Sequence, residues 1–311
     1  MHGEPLVSVL LATCNGQSWL EEQLDSLTKQ SGVQVSVIAS DDASSDATRD
    51  ILTALRPGLA LRLLPALPHR LGSANRNFLR LVRDASVETS DFVAFADQDD
   101  VWLRTKLHRA VAELHRTGAQ AYSSSVTAFW PDGTERQIVK SRPQRRFDHL
   151  FESAGPGCTF VFTREAFQQL RLWVTRQFDD LQDARVHDWL IYAYARQSGW
   201  SWHIDTQSHT RYRQHALNEV GANWGIAAAL SRWSDIRSGR YRKDIVNIAS
   251  KIGDQSVVHL ALRRLSLIDR LRLVLLAREC RRTASEAVLL AGFFLAFPKK
   301  ARDSEYPWVR N

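Results

Sequence analysis

Between residues 6 and 118, four short apolar runs alternate with four longer amphipathic stretches. "LVSVLLA" (6–12) is a continuous apolar run of strand length. Ser18 and Glu21 then form a capping-box pattern, and Leu20, Leu24 and Leu27 follow at helical spacing, which predicts a helix over 19–30. "VQVSVIAS" (33–40) predicts a second strand, with Ile51, Leu52 and Leu55 marking a helix over 46–55. A third strand is expected at 59–65 and a third helix at 75–85. "DFVAFA" (91–96) gives the fourth strand, and a helix over 103–118 ends at Gly118. The order β-α-β-α-β-α-β-α predicts an α/β fold with a mostly parallel central sheet. Such sheets bind ligands outside the carboxyl ends of their strands. Chemistry is therefore expected at "ATCNG" after the first strand, "SDDASSD" after the second and "DQDD" after the fourth.

Past residue 118 the pattern changes. Asp132-Gly133 reads as a turn, "GCTFVFT" (157–163) as a strand, and "HDWLIYAYARQSG" (187–199) as a helix ended by Gly199. "WSWHID" alternates like a strand, with "YRQH" shortly after it. From about residue 225 the chain reads as helical, which divides it into a catalytic region (1–224) and a C-terminal helical appendage (225–311). Residues 225–311 hold 17 Lys+Arg against 8 Asp+Glu, whereas residues 1–224 hold 24 against 26. The basic character belongs to the appendage. Three scattered cysteines argue against a disulfide framework and fit a reducing compartment. The first residues show no signal-peptide pattern, so a cytoplasmic location is expected.

Asp97, Asp99 and Asp100 fall within four positions. One of them can serve a helix start, where a carboxylate meets the positive end of the helix dipole. Three exceed that need, and their mutual repulsion calls for a cation. Mg²⁺ or Mn²⁺ takes oxygen ligands, commonly one or two carboxylates and the phosphate oxygens of a substrate. Asp41 and Asp42 can cap the next helix, or accept hydrogen bonds from a pyrimidine base and ribose hydroxyls beside "ATCNG". Arg213 is a candidate diphosphate contact because a guanidinium matches phosphate geometry. Arg76 and Asn77 enter the donor site on position alone. Trp102 reads as core.

"SVLLATCNGQSWLEEQLDSL", "SDDASSD", "DQDDVW", "HDW" and "YRQH", in this order and spacing, resemble family 2 glycosyltransferases of the GT-A fold. The likeness spans about residues 5–222 and is strongest to the rhamnosyltransferase branch that builds bacterial surface polysaccharides. It implies a sugar-nucleotide donor, a divalent metal at a DxD-type motif, and inversion at the anomeric carbon. It places Thr13 and Asn15 in the nucleoside pocket and Asp41 or Asp42 at the base. Asp97 and Asp99 match the DxD-type pair, with Asp99 the metal ligand, and His215 can complete the metal shell. Asp188 matches the catalytic base. Cys14 stands where an aromatic is common, Ala43 replaces a frequent glycine, and His187 replaces a frequent acid. The implied donor is dTDP-rhamnose, with a UDP-sugar as the other option, and the acceptor a growing surface glycan or a lipid-linked glycan.

The leucine-rich stretch 256–282, taken as one helix at about 100° per residue, gathers Arg263, Arg264, Arg270, Arg278, Arg281 and Arg282 within an arc of about 120°. "AVLLAGFFLAF" (287–297) follows, bracketed by Lys299-Lys300. Eleven apolar residues are too few to span a bilayer, which needs about 20. They suit peripheral docking on an anionic membrane surface, and packing as a homodimer is the alternative. Nucleic acid is not expected, since there is no recognisable module and the arginines lack interleaved aromatics. Two other classes fit less well. A nucleotidyltransferase would want a glycine-rich, arginine-bearing loop where "ATCNGQS" has one glycine and no arginine. A non-catalytic, membrane-associated relative would have no use for Asp97, Asp99 and Asp188 together.

Overall fold

A computed structural model describes residues 3–215 and 238–298. The first apolar run forms β1 (Leu6–Thr13), in which Val7, Val9, Leu10 and Leu11 are all buried. Burial on both faces is what a central strand of a parallel sheet requires. β1 lies between β2 (Gln34–Asp41) and β4 (Phe92–Asp97), parallel to both, and β3 (Ala60–Leu63) extends the sheet beyond β2. β5 (Val101–Trp102), β6 (Ala121–Phe129), β7 (Glu135–Ile138), β8 (Val161–Thr163) and β9 (Trp202–Arg213) complete it, in the order β3-β2-β1-β4-β8-β6-β9-β5 with β7 paired to β6. The β6–β7 hairpin turns at Asp132-Gly133, where Gly133 takes φ 85° and the Asp132 carboxylate accepts the Thr134 N–H.

Helices cover both faces. α1 (Leu20–Thr28) and α4 (Lys106–Thr117) present Leu20, Leu24, Leu27, Leu107, Val111 and Leu114 to Val7, Val9 and Leu11 of β1. Each leucine buried in this way contributes about 1.5–3 kcal/mol. α2 (Thr48–Thr53) follows β2. α3 (Ala74–Asp84) sends Phe78 against Phe95 of β4, with ring centroids 5.2 Å apart. Alternation along β4 puts Phe95 on the face opposite Ala94 and Ala96. α5 (Arg164–Arg176), the short α6 (Phe178–Leu181) and α7 (His187–Gln197) finish this region, with α5 and α7 packed beside α3. Gly118 ends α4 in the left-handed conformation at φ 67°, as its position suggests. The Ser18/Glu21 capping box does not form. α1 is preceded by Trp19 with no side-chain cap, its first N–H groups reach the Gly16 carbonyl, and Glu21 pairs with Arg56.

Two compact units divide the chain, Met1–Ser141 with Ser153–Ala222, and Arg142–Glu152 with Asn223–Asn311. The second contains α8 (Arg240–Lys251), α9 (Val257–Arg264), α10 (Leu267–Cys280) and α11 (Ala284–Ala296). Segment 142–152 is tied into it by a buried Arg282–Asp148 ion pair at 2.6 Å and a 2.9 Å bond from the Phe147 N–H to the Glu279 carbonyl.

The single helix expected over 256–282 is broken. Leu265 turns left-handed at φ 51°, and Ser266 with Asp269 forms a capping box that starts α10 afresh. The arginine arc therefore does not exist. Arg264 pairs with Asp269, Arg270 donates to the carbonyls of Phe294, Leu295 and Phe297, and Arg281 reaches the Tyr241 hydroxyl. These arginines staple the helices together instead of forming a solvated face. No helix of the described residues is long and apolar enough to cross a membrane.

Candidate active site

Register brings the three sequence clusters to one edge. Thr13 of β1 is level with Asp41 of β2, and Ala12 with Asp97 of β4. The loops that follow are tied together. The Thr13 hydroxyl donates to Asp41 at 3.2 Å, and Asp41 also accepts the Ser44 N–H at 3.1 Å. Asn15, at φ 49°, accepts the Ser45 N–H at 2.9 Å on its side-chain oxygen. The Asp42 carboxylate accepts the backbone N–H groups of Leu71 and Gly72, the latter at 2.9 Å. Asn77 is buried and donates to the carbonyls of Thr13 and Ser40, which clamps the ends of β1 and β2. The exposed Arg76 donates to the carbonyls of Gln182 and Leu71. Both act on loops that border the edge.

On the other side of this edge, Asp99 Oδ2 lies 2.8 Å from His215 Nε2. The imidazole is stacked on Trp19, centroids 3.8 Å apart and planes 12° from parallel, which fixes its direction. Arg213 donates through Nε to the Asp99 carbonyl at 2.9 Å, pairs with Glu22, and lies over the Phe129 ring. The last turn of β9 thus carries Arg213 and His215 back to the aspartates.

A second cluster, Asp97, Asp100 and Cys158, lies within 4.8 Å. Asp100 and Cys158 are buried, and burial with neighbouring carboxylates pushes the Cys158 thiol well above its ordinary range. Burial raises the Asp100 carboxyl as well. A protonated thiol is a poor ligand for a hard cation, whereas Asp99 and His215 are only half-buried and offer oxygen and imidazole nitrogen. Two donor atoms 2.8 Å apart also match neighbouring positions of an octahedral shell, where bonds of about 2.1 Å separate ligands by about 3 Å. The Asp99–His215 pair fits Mg²⁺ or Mn²⁺, whereas Asp97, expected in the same metal set, is grouped with Asp100 and Cys158 instead. Trp102 is buried under the Lys106 ammonium, 3.1 Å from the ring centroid, in keeping with a core role.

Asp188 stands in the first turn of α7, with Val186 as the capping position and no side-chain cap. Burial pushes its carboxyl from 3.8 up to about 6, against the Trp189 N–H and the Lys140 charge, which favour ionisation. His187 turns away into the core. It stacks on Phe78 at 4.0 Å, lies 6.2 Å from Phe95, and is neutral because burial lowers it to about 3. These contacts seat the start of α7 near the carboxyl end of β4.

The model of the family described as "Glycosyl transferase family 2" matches residues 8–171. The chain is 36% identical over 283 residues to the dTDP-rhamnosyl transferase RfbG of Shigella flexneri, covering 90% of this chain and 97% of that protein. This chain belongs to glycosyl transferase family 2.

As a family 2 glycosyltransferase it also resembles solved structures in fold. One is S. aureus TarS 1–349 in complex with UDP-GlcNAc, with a TM-score of 0.57 and 15% identity over 94% of this chain and 81% of that one. Another is the mannosyltransferase PcManGT from Pyrobaculum calidifontis with GDP-Man and Mn²⁺, with a TM-score of 0.50 and 18% identity over 94% and 81%. The α/β architecture expected from the alternation, with its GT-A likeness and helical C-terminal region, is the one observed, but only the β3-β2-β1-β4 half of the sheet and the β6–β9 pair are parallel, while β4–β8, β6–β8, β6–β7 and β5–β9 pair antiparallel.

Two features of this glycosyltransferase escaped sequence reasoning. Trp19 falls at the start of the expected helix, and its stacking on His215 has no local signal. Gln98 lies between the aspartates of "DQDD". Its amide accepts the Cys14 N–H at 2.8 Å and donates to the Cys14 carbonyl at 3.0 Å, which joins the first and fourth strand ends. A Cβ on Gly16 would come within 2.2 Å of Gln98 Oε1. Gly16→Ala therefore has to displace an amide held by two hydrogen bonds, costing about 1–2 kcal/mol of site order. The expected result is a roughly tenfold weaker dTDP affinity in calorimetric titration. Unchanged affinity would remove Gln98 from the site's supporting structure.

Proposed function

We propose that this enzyme is an inverting, metal-dependent rhamnosyltransferase. It moves rhamnose from dTDP-rhamnose to a hydroxyl of a growing surface glycan or lipid-linked acceptor. The observation that carries the reading is the Asp99–His215 pair, 2.8 Å apart, at the strand edge where the Thr13, Asp41 and Asp97 strand ends converge. The identity to a dTDP-rhamnosyl transferase over most of both chains supports the donor. A lipid-linked acceptor is supported by a more distant relative, 24% identical over half of this chain. That Escherichia coli protein, WfaP, is a UDP-Glc:alpha-D-GlcNAc-diphosphoundecaprenol beta-1,3-glucosyltransferase.

Each residue then has a part. Thr13, Asn15, Asp41 and Asp42 wall the nucleoside. The Asp42 carboxylate has about four acceptor positions, of which two hold the Leu71 and Gly72 N–H groups, which leaves about two for the donor. Asn77 and Arg76 hold the surrounding loops, and Arg213 orients the Asp99 backbone beside the diphosphate. Asp99 and His215, joined by Asp97 from the neighbouring cluster, would hold Mg²⁺ or Mn²⁺, which would supply positive charge to offset that of the leaving diphosphate. Asp188 takes the proton of the acceptor hydroxyl. The hydroxyl oxygen bonds to the anomeric carbon on the face opposite the diphosphate, the carbon–oxygen bond to dTDP breaks, and dTDP leaves. One base suffices for a single displacement, and inversion follows.

Calorimetric titration with dTDP and with UDP, each with and without Mn²⁺, tests the reading. Binding of dTDP that tightens with Mn²⁺ and exceeds that of UDP is expected. Failure of both nucleotides to bind under any metal condition would sink it.

A further inference from the structure

Helices α10 and α11 form the last hairpin of the second unit and are apolar far beyond what they bury. α11 is apolar at nearly every position, yet only Ala287, Leu290 and Phe294 are buried. A helix that is hydrophobic all round is normally covered all round. Here Val288, Leu289 and Leu295 are 73%, 59% and 54% exposed. On α10, Leu267, Leu271 and Leu275 recur four residues apart and are 73%, 53% and 82% exposed, while Asp269, Leu273, Ala277 and Cys280 face inward. At about 100° per residue, the exposed apolar positions of each helix fall within an arc of about 140° opposite its buried stripe. A free apolar surface of this kind marks an interaction site.

We infer that the α10–α11 hairpin lies on an anionic lipid bilayer, with its leucines in the headgroup–acyl boundary. Three observations point to this occupant. First, Arg272 sits on the exposed arc of α10 beside Ile268 and Leu275, with no hydrogen bond or ion pair among the described residues. At a bilayer its long stem lies along the leucines and its guanidinium reaches lipid phosphate. Second, the charges around the arcs are mainly basic. Arg263 and Arg278 are exposed at or near the ends of α9 and α10, Arg264 is paired with Asp269, and the carboxylates beside them are Glu279 on the α10 arc and the exposed Glu286 in the first turn of α11. The sequence continues past α11 with Lys299-Lys300, outside the described residues. Third, helices of 14 and 13 residues are about 20 Å long, too short to cross the roughly 30 Å hydrocarbon core and suited to lying along it. The surface stands on its own observations. Only its purpose, meeting a lipid-linked acceptor, rests on the function proposed above.

The test is co-sedimentation of the full chain with phosphatidylglycerol–phosphatidylcholine vesicles and with phosphatidylcholine alone. The same preparations are titrated with dTDP, and sedimentation equilibrium gives the oligomeric state. Binding to the anionic vesicles is expected, weaker by about tenfold on neutral ones. L271E/L275E replaces two exposed side chains, so the fold and dTDP affinity should hold while vesicle binding falls by about 100-fold or more. R272E should lose about tenfold, and only on anionic vesicles. Absence of wild-type sedimentation with anionic vesicles overturns the inference, as does L271E/L275E binding like wild type. A wild-type dimer that L271E/L275E converts to monomer, without vesicle binding, assigns the face to a second copy and overturns it too. Loss of dTDP binding in the wild type would instead strike the donor reading and leave the vesicle result to stand alone.

Discussion

Asp188→Asn is expected to abolish sugar transfer and to make the protein more stable. The substitution keeps the shape of the side chain and removes the base, so turnover should fall by about 10²–10⁴-fold. Affinity for dTDP should be unchanged, because the carboxylate serves the acceptor side. Stability moves the other way for a reason that can be worked out in sign. Burial raises the folded-state carboxyl from 3.8 to about 6, so the folded chain holds this proton more tightly than the unfolded chain does. The carboxyl therefore costs stability increasingly as pH rises from about 4 through 6, and the full cost is present above that window. Asparagine carries no charge to desolvate, and about 1–3 kcal/mol should be recovered at pH 7.5, seen as a higher Tm. In the wild type, turnover should climb with pH through an inflection near 6 and then level off. Retention of more than a tenth of wild-type turnover by the variant, or a flat profile between pH 5 and 7, would remove Asp188 from the role of base.

Asp99→Ala should end metal-dependent donor binding, and His215→Ala should only weaken it. Asp99 is the one carboxylate within reach of His215 Nε2 among the described residues. Without it the imidazole loses the carboxylate that the proposed metal would share with it. Residues that merely support a metal ligand cost about 10–100-fold in metal affinity when removed, so a direct carboxylate ligand should cost more than about 100-fold. Added Mn²⁺ should not restore dTDP binding. His215 is one donor of several, held in place by the Trp19 ring. Its loss should raise the Mn²⁺ concentration needed for half-maximal turnover by about tenfold or more, with turnover recovered at saturating Mn²⁺. Metal response in Asp99→Ala matching that of the wild type would be the failing result, and would direct attention to Asp97, Asp100 and Cys158.

Local sequence determined most of the catalytic framework. Apolar runs of strand length alternating with helix-period stretches leave few arrangements besides a parallel sheet with covered faces. Once that sheet forms, register sets Thr13 level with Asp41 and Asp97 near the end of β1. The acidic clusters were legible because like charges at strand ends need a partner whatever the details of packing. The appendage was less legible. Leucine density predicts one helix over 256–282, whereas Ser266 and Asp269 within it form the cap that breaks it. Tertiary structure alone decided which side chains meet. Nothing local pairs Trp19 with His215, sends Gln98 to the Cys14 backbone, turns His187 inward onto Phe78, or spends Arg270 and Arg282 on carbonyls and a buried carboxylate. Periodicity and caps act over a few residues, so a sequence displays them directly. Pairings between distant segments exist only after the sheet closes and buries the chain, because burial is what makes each polar group find a partner.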